Sequence, residues 1–197
     1  MSTVARTTFT SPQEYLELEH RAEFKSEYYD GQIYAMAGTS LRHNSIAVNL
    51  LVELFSQLRG QPCRPYLSDV RLKTRASDAY MYPDIMVICG PPQLAPNEFD
   101  TVLNPTVIIE VLSPSTESWD RGGKFARYRP IESLTDYVLV SQDEVLVEHY
   151  TRQGEQWLLT ASSRPADSLV IGSIGCSVPL ADIYARVTFD SDETKPS

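Results

Sequence analysis

Long apolar runs are missing from this sequence. None of its hydrophobic stretches approaches the roughly 20 residues that a membrane-spanning helix needs, and positions 1–10 contain no hydrophobic segment of the kind found in secretory signals. We therefore expect a cytoplasmic protein with no membrane partner.

Cysteine is also scarce. Cys63, Cys89 and Cys176 are odd in number and widely spaced, and none belongs to a Cys-x-x-Cys pair. This pattern predicts neither a disulfide framework nor a zinc cage. All three thiols are expected to be reduced and partly buried.

Several catalytic motifs are absent. There is no Gly-x-Ser-x-Gly segment, and the three histidines lack the spacing of a triad or of a His-based zinc site. Gly122-Gly123-Lys124 does not complete a phosphate-binding P-loop, because Ser118 stands at the first required glycine and Phe125 follows the lysine. A nucleophilic hydrolase is therefore disfavoured, and no organic cofactor is indicated.

Basic residues are in the minority. Lys and Arg number 17 against 26 Asp and Glu, which gives a formal net charge of -9. An acidic surface repels nucleic acid unless basic residues gather locally, so tight, nonspecific DNA binding is disfavoured. A nuclease is not excluded, because metal ions held by carboxylates add positive charge that a residue count omits.

The residues that are present describe a folded globular chain. Hydrophobic residues make up 42% and charged residues 22% of the 197 positions, which is far from the signature of disorder. A chain of this length normally forms one domain, and we assign it to residues 1–189. Residues 190–197 are too polar to pack and are expected to form a frayed tail.

Local patterns predict a mixture of helices and strands. Ser11-Pro12 followed by Glu14 predicts a helix that begins after Ser11 and ends near Glu19. Asp30-Gly31 suits the tight turn of a hairpin. Apolar periodicity and Ile/Val-rich runs predict the remaining elements: helices at 40–59, 115–129 and 178–184, and strands at 66–74, 84–89, 106–112, 137–140, 145–148 and 157–161.

Glu110 stands out because it lies inside the apolar run 107–112. Strand alternation puts Ile108 and Leu112 on its own face, where an unpaired carboxylate is costly. Either a cation compensates Glu110 or the group takes up a proton. The alternative is a structural pair with an Arg or Lys.

Asp84 follows Pro83 and opens the preceding predicted strand. Pro-Asp is common in turns, so the pair gains meaning only from its position. If the two strands are neighbours, Asp84 and Glu110 point into the same space. Two carboxylates brought together repel each other, and a hard divalent ion relieves that repulsion.

The segment from Asp120 to Tyr128 supplies cationic groups. On a helix, Arg121, Lys124 and Tyr128 share one face at spacings of three and four residues. A solvated charged face is the alternative. Two adjacent glycines weaken a helix and favour a place where the backbone closely approaches another group.

Seven segments together carry a family resemblance. They are Lys25-Ser26-Glu27-Tyr28-Tyr29-Asp30-Gly31, His43-Asn44, Ser68-Asp69-Val70-Arg71, Tyr82-Pro83-Asp84, Glu110-Val111-Leu112-Ser113-Pro114-Ser115-Thr116, Asp120-Arg121-Gly122-Gly123-Lys124 and Tyr128-Arg129. These segments are specific as a set, and up to about Val140 the chain resembles the Uma-two family, which is grouped with the restriction endonucleases.

This resemblance implies a PD-(D/E)XK nuclease of the α/β (α+β) class. Its restriction endonuclease-like core would be a central mixed β-sheet flanked by helices, with additional β-hairpins. Asp84 and Glu110 would bind Mg²⁺ or Mn²⁺, and a lysine would assist the attacking water. Leu112 occupies the usual lysine position, so the resemblance nominates Lys124 from the following helix.

Three further residues match family positions or lie beside them. Glu27 would complete or tune the metal site, with an ordinary strand surface residue as the alternative. Asp69 would support the site, or simply form ion pairs with neighbouring basic residues. His43 would contact substrate or orient a carboxylate, although helix capping or exposure explains it equally well.

The expected function is metal-dependent hydrolysis of DNA phosphodiester bonds. The metal would neutralise the phosphate, Lys124 would orient water or stabilise developing charge, and Arg121 and Tyr128 would contact phosphate. Cleavage of both strands favours a homodimer. The alternative is an inactive nuclease-like module that binds nucleic acid or a protein, in keeping with the acidic balance and with Leu112.

Overall fold

The computed structural model describes residues 9–36, 38–74, 78–98 and 100–189, and the predicted tail at 190–197 lies outside these ranges. The helices are α1 (Pro12–Glu19), α2 (Leu41–Gln57), α3 (Glu117–Trp119), α4 (Phe125–Tyr128) and α5 (Leu180–Ile183). A π-helical turn (Asp120–Lys124) joins α3 to α4, and a 3₁₀ turn spans Gly172–Ile174. The strands are β1 (Ser26–Tyr29), β2 (Gln32–Ala35), β3 (Cys63–Leu67), β4 (Arg71–Thr74), β5 (Ala79–Met81), β6 (Ile85–Cys89), β7 (Thr101–Val102), β8 (Val107–Leu112), β9 (Asp136–Ser141), β10 (Val147–Gln153), β11 (Gln156–Ser162), β12 (Ser168–Ile171) and β13 (Cys176–Pro179).

A six-stranded mixed sheet forms the centre of the fold. Its strand order is β11-β10-β9-β8-β6-β3. Strands β8 and β9 are parallel, and the other neighbours are antiparallel. Parallel neighbours need a crossover connection, and here it contains α3, the π turn and α4. The predicted class, a mixed sheet flanked by helices, is confirmed.

A second sheet of five strands, ordered β2-β1-β5-β4-β7, begins with the predicted hairpin. Strands β1 and β2 pair in register around Asp30 and Gly31, whose φ angles are 52° and 75°. Such positive angles are those that a tight hairpin turn requires. The hairpin is therefore confirmed, and β12 and β13 form a small additional pair.

The two faces of the central sheet are buried by different partners. On one face, Leu50 of α2 packs in a cluster with Ile109 of β8 and Val138 of β9. On the other face, Ile108 and Leu112 lie in a cluster with residues of α4 and of the second sheet. Alternation along β8 therefore aims Glu110 into the second cluster, as expected. None of the helices in the described ranges is both long and apolar enough to cross a membrane.

Several predicted elements are wrong in their bounds, and two of them are changed by strand pairing. The strand expected at 66–74 is two strands, β3 and β4, which belong to different sheets and are separated by a turn at 68–70. The helix expected at 178–184 is reduced to α5, because Val178 pairs with Leu169 in the β12–β13 ladder. In both cases pairing with another strand overrides the local pattern.

The expectation of three reduced cysteines is also wrong. Cys63 of β3 and Cys89 of β6 are directly opposite each other in the sheet and form a disulfide. Their separation of 26 residues conceals this contact in the sequence, since only strand pairing brings them together. Cys176 is a free, buried thiol.

The π turn explains one of the two adjacent glycines. A Cβ atom added at Gly123 would lie 1.8 Å from the Trp119 ring, whereas one at Gly122 would meet nothing within 4 Å. The predicted close approach is therefore confirmed for Gly123, against which the Trp119 indole packs. π-helical turns of this kind are frequent at functional sites.

Alanine substitutions at the two glycines should change the free energy of unfolding in opposite directions. Gly123→Ala should lower the free energy of unfolding by about 1–3 kcal/mol, because the new methyl group displaces Trp119. Gly122→Ala should raise it by about 0.5 kcal/mol, because alanine restricts the unfolded chain and meets no obstacle. Urea unfolding of both variants measures this difference. Equal changes in the two variants would contradict the close packing at Gly123.

Candidate active site

Asp84 and Glu110 lie side by side at one end of the central sheet. Ile85 of β6 pairs with Ile109 of β8, so the residue before β6 falls opposite Glu110. The Asp84 backbone N–H donates to Glu110 Oε2 at 3.3 Å, and the Val111 N–H donates to Asp84 Oδ2 at 2.8 Å. The two strands are thus neighbours, and both carboxylates border one cavity.

The Lys124 ammonium lies among three buried carboxylates. Its Nζ is 3.1 Å from Glu110 Oε1, 3.2 Å from Glu27 Oε1 and 3.4 Å from Asp120 Oδ1. The carboxylates come from β8, β1 and the π turn, so the lysine joins both sheets to the crossover segment. A lysine from this segment therefore stands beside Glu110, although Leu112 fills the usual position.

Glu27 and Asp120 complete the acidic cluster. Glu27 Oε1 accepts a hydrogen bond of 3.3 Å from the Tyr82 backbone N–H, which fixes it beside Lys124. Asp120 was not singled out from the sequence, although its spacing of four residues from Lys124 was a usable signal. Within the described chain, Asp120 Oδ1 is buried and makes no hydrogen bond, so its contact with Lys124 Nζ at 3.4 Å is an ion pair without one.

Burial dominates the acid–base behaviour of the cluster. It raises the pKa of Glu110 well above its usual range; Lys124 opposes the shift, while Asp120 and Asp84 add to it. Burial also raises the pKa of Asp120, again against Lys124. Burial alone would lower the pKa of Lys124, but Glu110, Glu27 and Asp120 outweigh it and raise that pKa. The lysine therefore remains charged, while Glu110 and Asp120 resist ionisation.

His43 contacts the other side of Asp84. It lies in the first turn of α2, where the Ser40 hydroxyl accepts a hydrogen bond from the His43 backbone N–H. Its Nε2 is 3.2 Å from Asp84 Oδ2, and its side chain is only 9% exposed. Ser40 therefore caps the helix, and the imidazole of His43 contacts Asp84.

The remaining candidates lie in different surroundings. Tyr128 is fully buried and donates a hydrogen bond of 3.1 Å from its hydroxyl to Glu110 Oε1. The structure does not bring Arg121 to the cavity: its guanidinium pairs with Glu117 and Glu148. The π turn alters the helical register, so Arg121 does not share the face of Lys124. Asp69 pairs with Lys25 and is 86% exposed.

The cavity beside these residues measures about 530 Å³. Its walls include Asp84, Glu110, Lys124 and His43, together with the aromatic residues Tyr29, Tyr34 and Trp119. Pockets of about 300–1,000 Å³ are typical of small-molecule sites. The volume therefore admits a nucleotide-sized group.

The donor set fits a hard divalent cation. Glu27, Asp84, Glu110 and Asp120 supply four carboxylates against one ammonium, and burial, with a smaller contribution from neighbouring carboxylates, raises the pKa values of Glu110 and Asp120. Carboxylate oxygens are the ligands that Mg²⁺ prefers. Among the described residues, no group of three Asp, Glu, His or Cys side chains is arranged so that it could hold a metal ion. The Lys124 ammonium lies between the carboxylates instead.

Known proteins share both the sequence pattern and the fold. The family model described as "Uma2: Putative restriction endonuclease" matches residues 12–178. Two uncharacterized proteins of Synechocystis sp., slr1290 and sll1609, are 39% and 40% identical to this chain over 91% and 81% of its length, covering 93% and 91% of their own. A crystal structure from Anabaena variabilis, described as "a putative nuclease belonging to DUF820", has a TM-score of 0.74 at 20% identity, over 89% of this chain and 97% of that one.

These matches define first a class and then a family. The class is the one that the family model describes, "Putative restriction endonuclease", and the fold that this chain shares with the Anabaena variabilis protein includes the mixed central sheet and its crossover helices. The model match covers most of the chain, and the chain belongs to the Uma2 family.

Removal of the central ammonium should destabilise the fold in a pH-dependent way. In Lys124→Met the pKa values of Glu110 and Asp120 rise further, because Lys124 opposes both shifts. When the pKa of a carboxyl group is higher in the folded than in the unfolded state, the folded protein loses stability as the pH rises from the unfolded-state pKa to the folded-state pKa. The free energy of unfolding of Lys124→Met should be about 3 kcal/mol below that of the wild type near pH 8, and the difference should be smaller near about pH 5. Urea unfolding at the two pH values measures this difference.

Lys25→Met is the matched control, since Lys25 pairs with the exposed Asp69. Exposed pairs contribute about 0–1 kcal/mol, so this variant should change little at either pH. A Lys124→Met deficit that stays constant with pH, or falls as the pH rises, would contradict the assigned electrostatics.

Proposed function

We propose that this protein is a metal-dependent endonuclease that hydrolyses phosphodiester bonds in DNA. The observation that supports the proposal is the convergence of Asp84, Glu110 and Lys124 on one cavity from three separate segments. Membership of the Uma2 family supports the same reaction class. Asp84 and Glu110, with Glu27 beside them, would hold Mg²⁺ or Mn²⁺.

The bound ion would neutralise the phosphate and supply a nucleophile near neutral pH. The protein's own groups position the reacting parts. The Val111 N–H holds Asp84, while the Asp84 N–H and the Tyr128 hydroxyl hold the two oxygens of Glu110. These donors fix the carboxylates in place, as preorganised catalysis requires.

Lys124 has two tasks in this proposal. Its ammonium orients the attacking water, and it stabilises the charge that develops on the phosphoryl oxygens. Because its pKa lies above the usual range, it carries its positive charge at neutral pH and acts as an electrostatic group rather than as a base. His43 holds Asp84 from the cavity side. Tyr128 holds Glu110 through the hydrogen bond from its hydroxyl. Arg121 has no direct role in this proposal, because it pairs with Glu117 and Glu148.

A second candidate function follows from the position of the lysine itself. With its ammonium already among three carboxylates, the charge of the cluster is partly compensated without an ion. A nuclease-like module that binds nucleic acid or protein without cutting would have such a site. Calorimetric titration with Mg²⁺ or Mn²⁺ separates the two, since only the nuclease proposal requires metal binding.

Asp84→Asn provides the direct test of activity. The amide retains an oxygen that can accept from the Val111 N–H, but it loses the charge that the cation needs. Plasmid nicking in Mg²⁺ should fall about a thousandfold or more, because the metal contributes several kcal/mol to the transition state. Thermal unfolding should show a folded variant.

The matched control is Asp182→Asn in α5, an exposed aspartate far along the chain from the cavity residues. It should nick plasmid at the wild-type rate. Wild-type activity in Asp84→Asn, or nicking that persists without a divalent metal, would refute the proposal. The expected homodimer stays a prediction, and sedimentation analysis tests it.

A further inference from the structure

Three aromatic rings form a continuous stack in the wall of the cavity. The centroids of Tyr29 and Tyr34 are 3.9 Å apart with the rings 6° from parallel. Those of Tyr29 and Trp119 are 4.2 Å apart at 22°. Tyr29 therefore lies in the middle, with Tyr34 at one end and Trp119 at the other.

The stack adjoins the acidic cluster directly. Tyr34 is the register partner of Glu27 across the β1–β2 hairpin, and Tyr29 follows Glu27 by two residues on the same face of β1. Trp119 immediately precedes Asp120. All three rings line the cavity that contains Asp84 and Glu110.

The stack is closed at one end and along one edge. Trp119 is seated against Gly123, and the Arg127 guanidinium lies 4.9 Å from the centroids of both Tyr29 and Trp119. Arg127 is itself held by Asp30 and by the Gly123 carbonyl. The edge that it covers is therefore fixed.

The end formed by Tyr34 is open. Tyr34 is 37% exposed, and among the described residues no ring other than Tyr29 stacks on it. A π-face presented beside a catalytic pocket is a surface on which a nucleobase stacks, because every base has a complementary face. A base inside an intact duplex cannot reach it, since its own neighbours occupy both of its faces.

We propose that Tyr34, supported by Tyr29 and Trp119, is a stacking platform for an unpaired nucleobase next to the scissile phosphate. The substrate class is therefore DNA that is single-stranded or locally unpaired. This inference rests on the proposed nuclease function and narrows its substrate. It also fits the net charge of -9, because an acidic protein gains little from tracking a duplex backbone and depends more on stacking.

The test measures binding by fluorescence anisotropy with labelled short DNA. One probe is an unstructured single strand, and the other is the same strand annealed to its full complement as a blunt-ended duplex. Both are titrated with the full-length protein in Ca²⁺ instead of Mg²⁺. The wild type should bind the single strand about tenfold more tightly than the duplex, which is within the range of one stacked base.

Substitutions at Tyr34 separate stacking from packing. Tyr34→Ala and Tyr34→Leu should weaken single-strand binding about tenfold, whereas Tyr34→Phe, which keeps the ring, should stay within about twofold of the wild type. Duplex binding should change little in all three. Phe55→Ala is the control, because Phe55 is an exposed ring of α2 that lies outside the cavity lining.

Two results would overturn the inference in different ways. If the protein nicks DNA but Tyr34→Leu binds single strands like the wild type, the platform is refuted and the nuclease proposal stands. If the wild type neither binds DNA nor cuts it with Mg²⁺ or Mn²⁺, both fail together. Loss of thermal stability in Tyr34→Ala without loss of single-strand preference would show that the stack serves packing alone.

Discussion

The ammonium of Lys124 lies at the point where three separate parts of the chain meet. Glu27 reaches it from the second sheet, Glu110 from the central sheet and Asp120 from the π turn. Buried charges of one sign destabilise a fold unless a partner compensates them. The lysine provides that partner, and the meeting of the two sheets with the crossover segment depends on it.

This arrangement has a chemical consequence. One ammonium cannot balance all of the surrounding carboxylates, so burial and mutual repulsion keep the pKa values of Glu110 and Asp120 high. A divalent cation would supply the missing charge, and a phosphate group could then approach. The carboxylates that Lys124 holds together in the absence of an ion therefore define where an ion would bind.

Local backbone geometry places the groups around this centre. The hairpin turn at Asp30 and Gly31 returns β2 so that Tyr34 stands opposite Glu27. The π turn directs Lys124 inward while Arg121 points outward to Glu117 and Glu148. The aromatic stack and two members of the acidic cluster, Glu27 and Asp120, thus come from the same two segments, which places the stack and the cluster in one cavity.

Much of this could be predicted from short-range patterns. The Ser11 cap of α1, the hairpin at Asp30-Gly31 and the two-sided burial of β8 each depend on signals within a few residues. The resemblance to the Uma-two family correctly indicated the fold. Asp84 and Glu110 could be expected to meet if their strands were neighbours, and they are.

The remainder depends on contacts between distant residues. The disulfide of Cys63 and Cys89 and the division of residues 66–74 between two sheets follow from strand pairing that no local pattern encodes. The direction of Arg121 depends on a π turn, which an assumed α-helical spacing misplaces. Asp120 has one sequence signal, its spacing of four residues from Lys124, whereas its burial beside that ammonium depends on the fold.

Crystals grown with Mn²⁺ would show whether Asp84 and Glu110 hold a metal ion, because the anomalous signal of that ion locates it independently of any assay. We expect a Mn²⁺ peak coordinated by oxygens of both Asp84 and Glu110, and loss of that peak in Asp84→Asn. A cavity without Mn²⁺ at saturating concentration, with Lys124 still paired to its three carboxylates, would contradict this expectation.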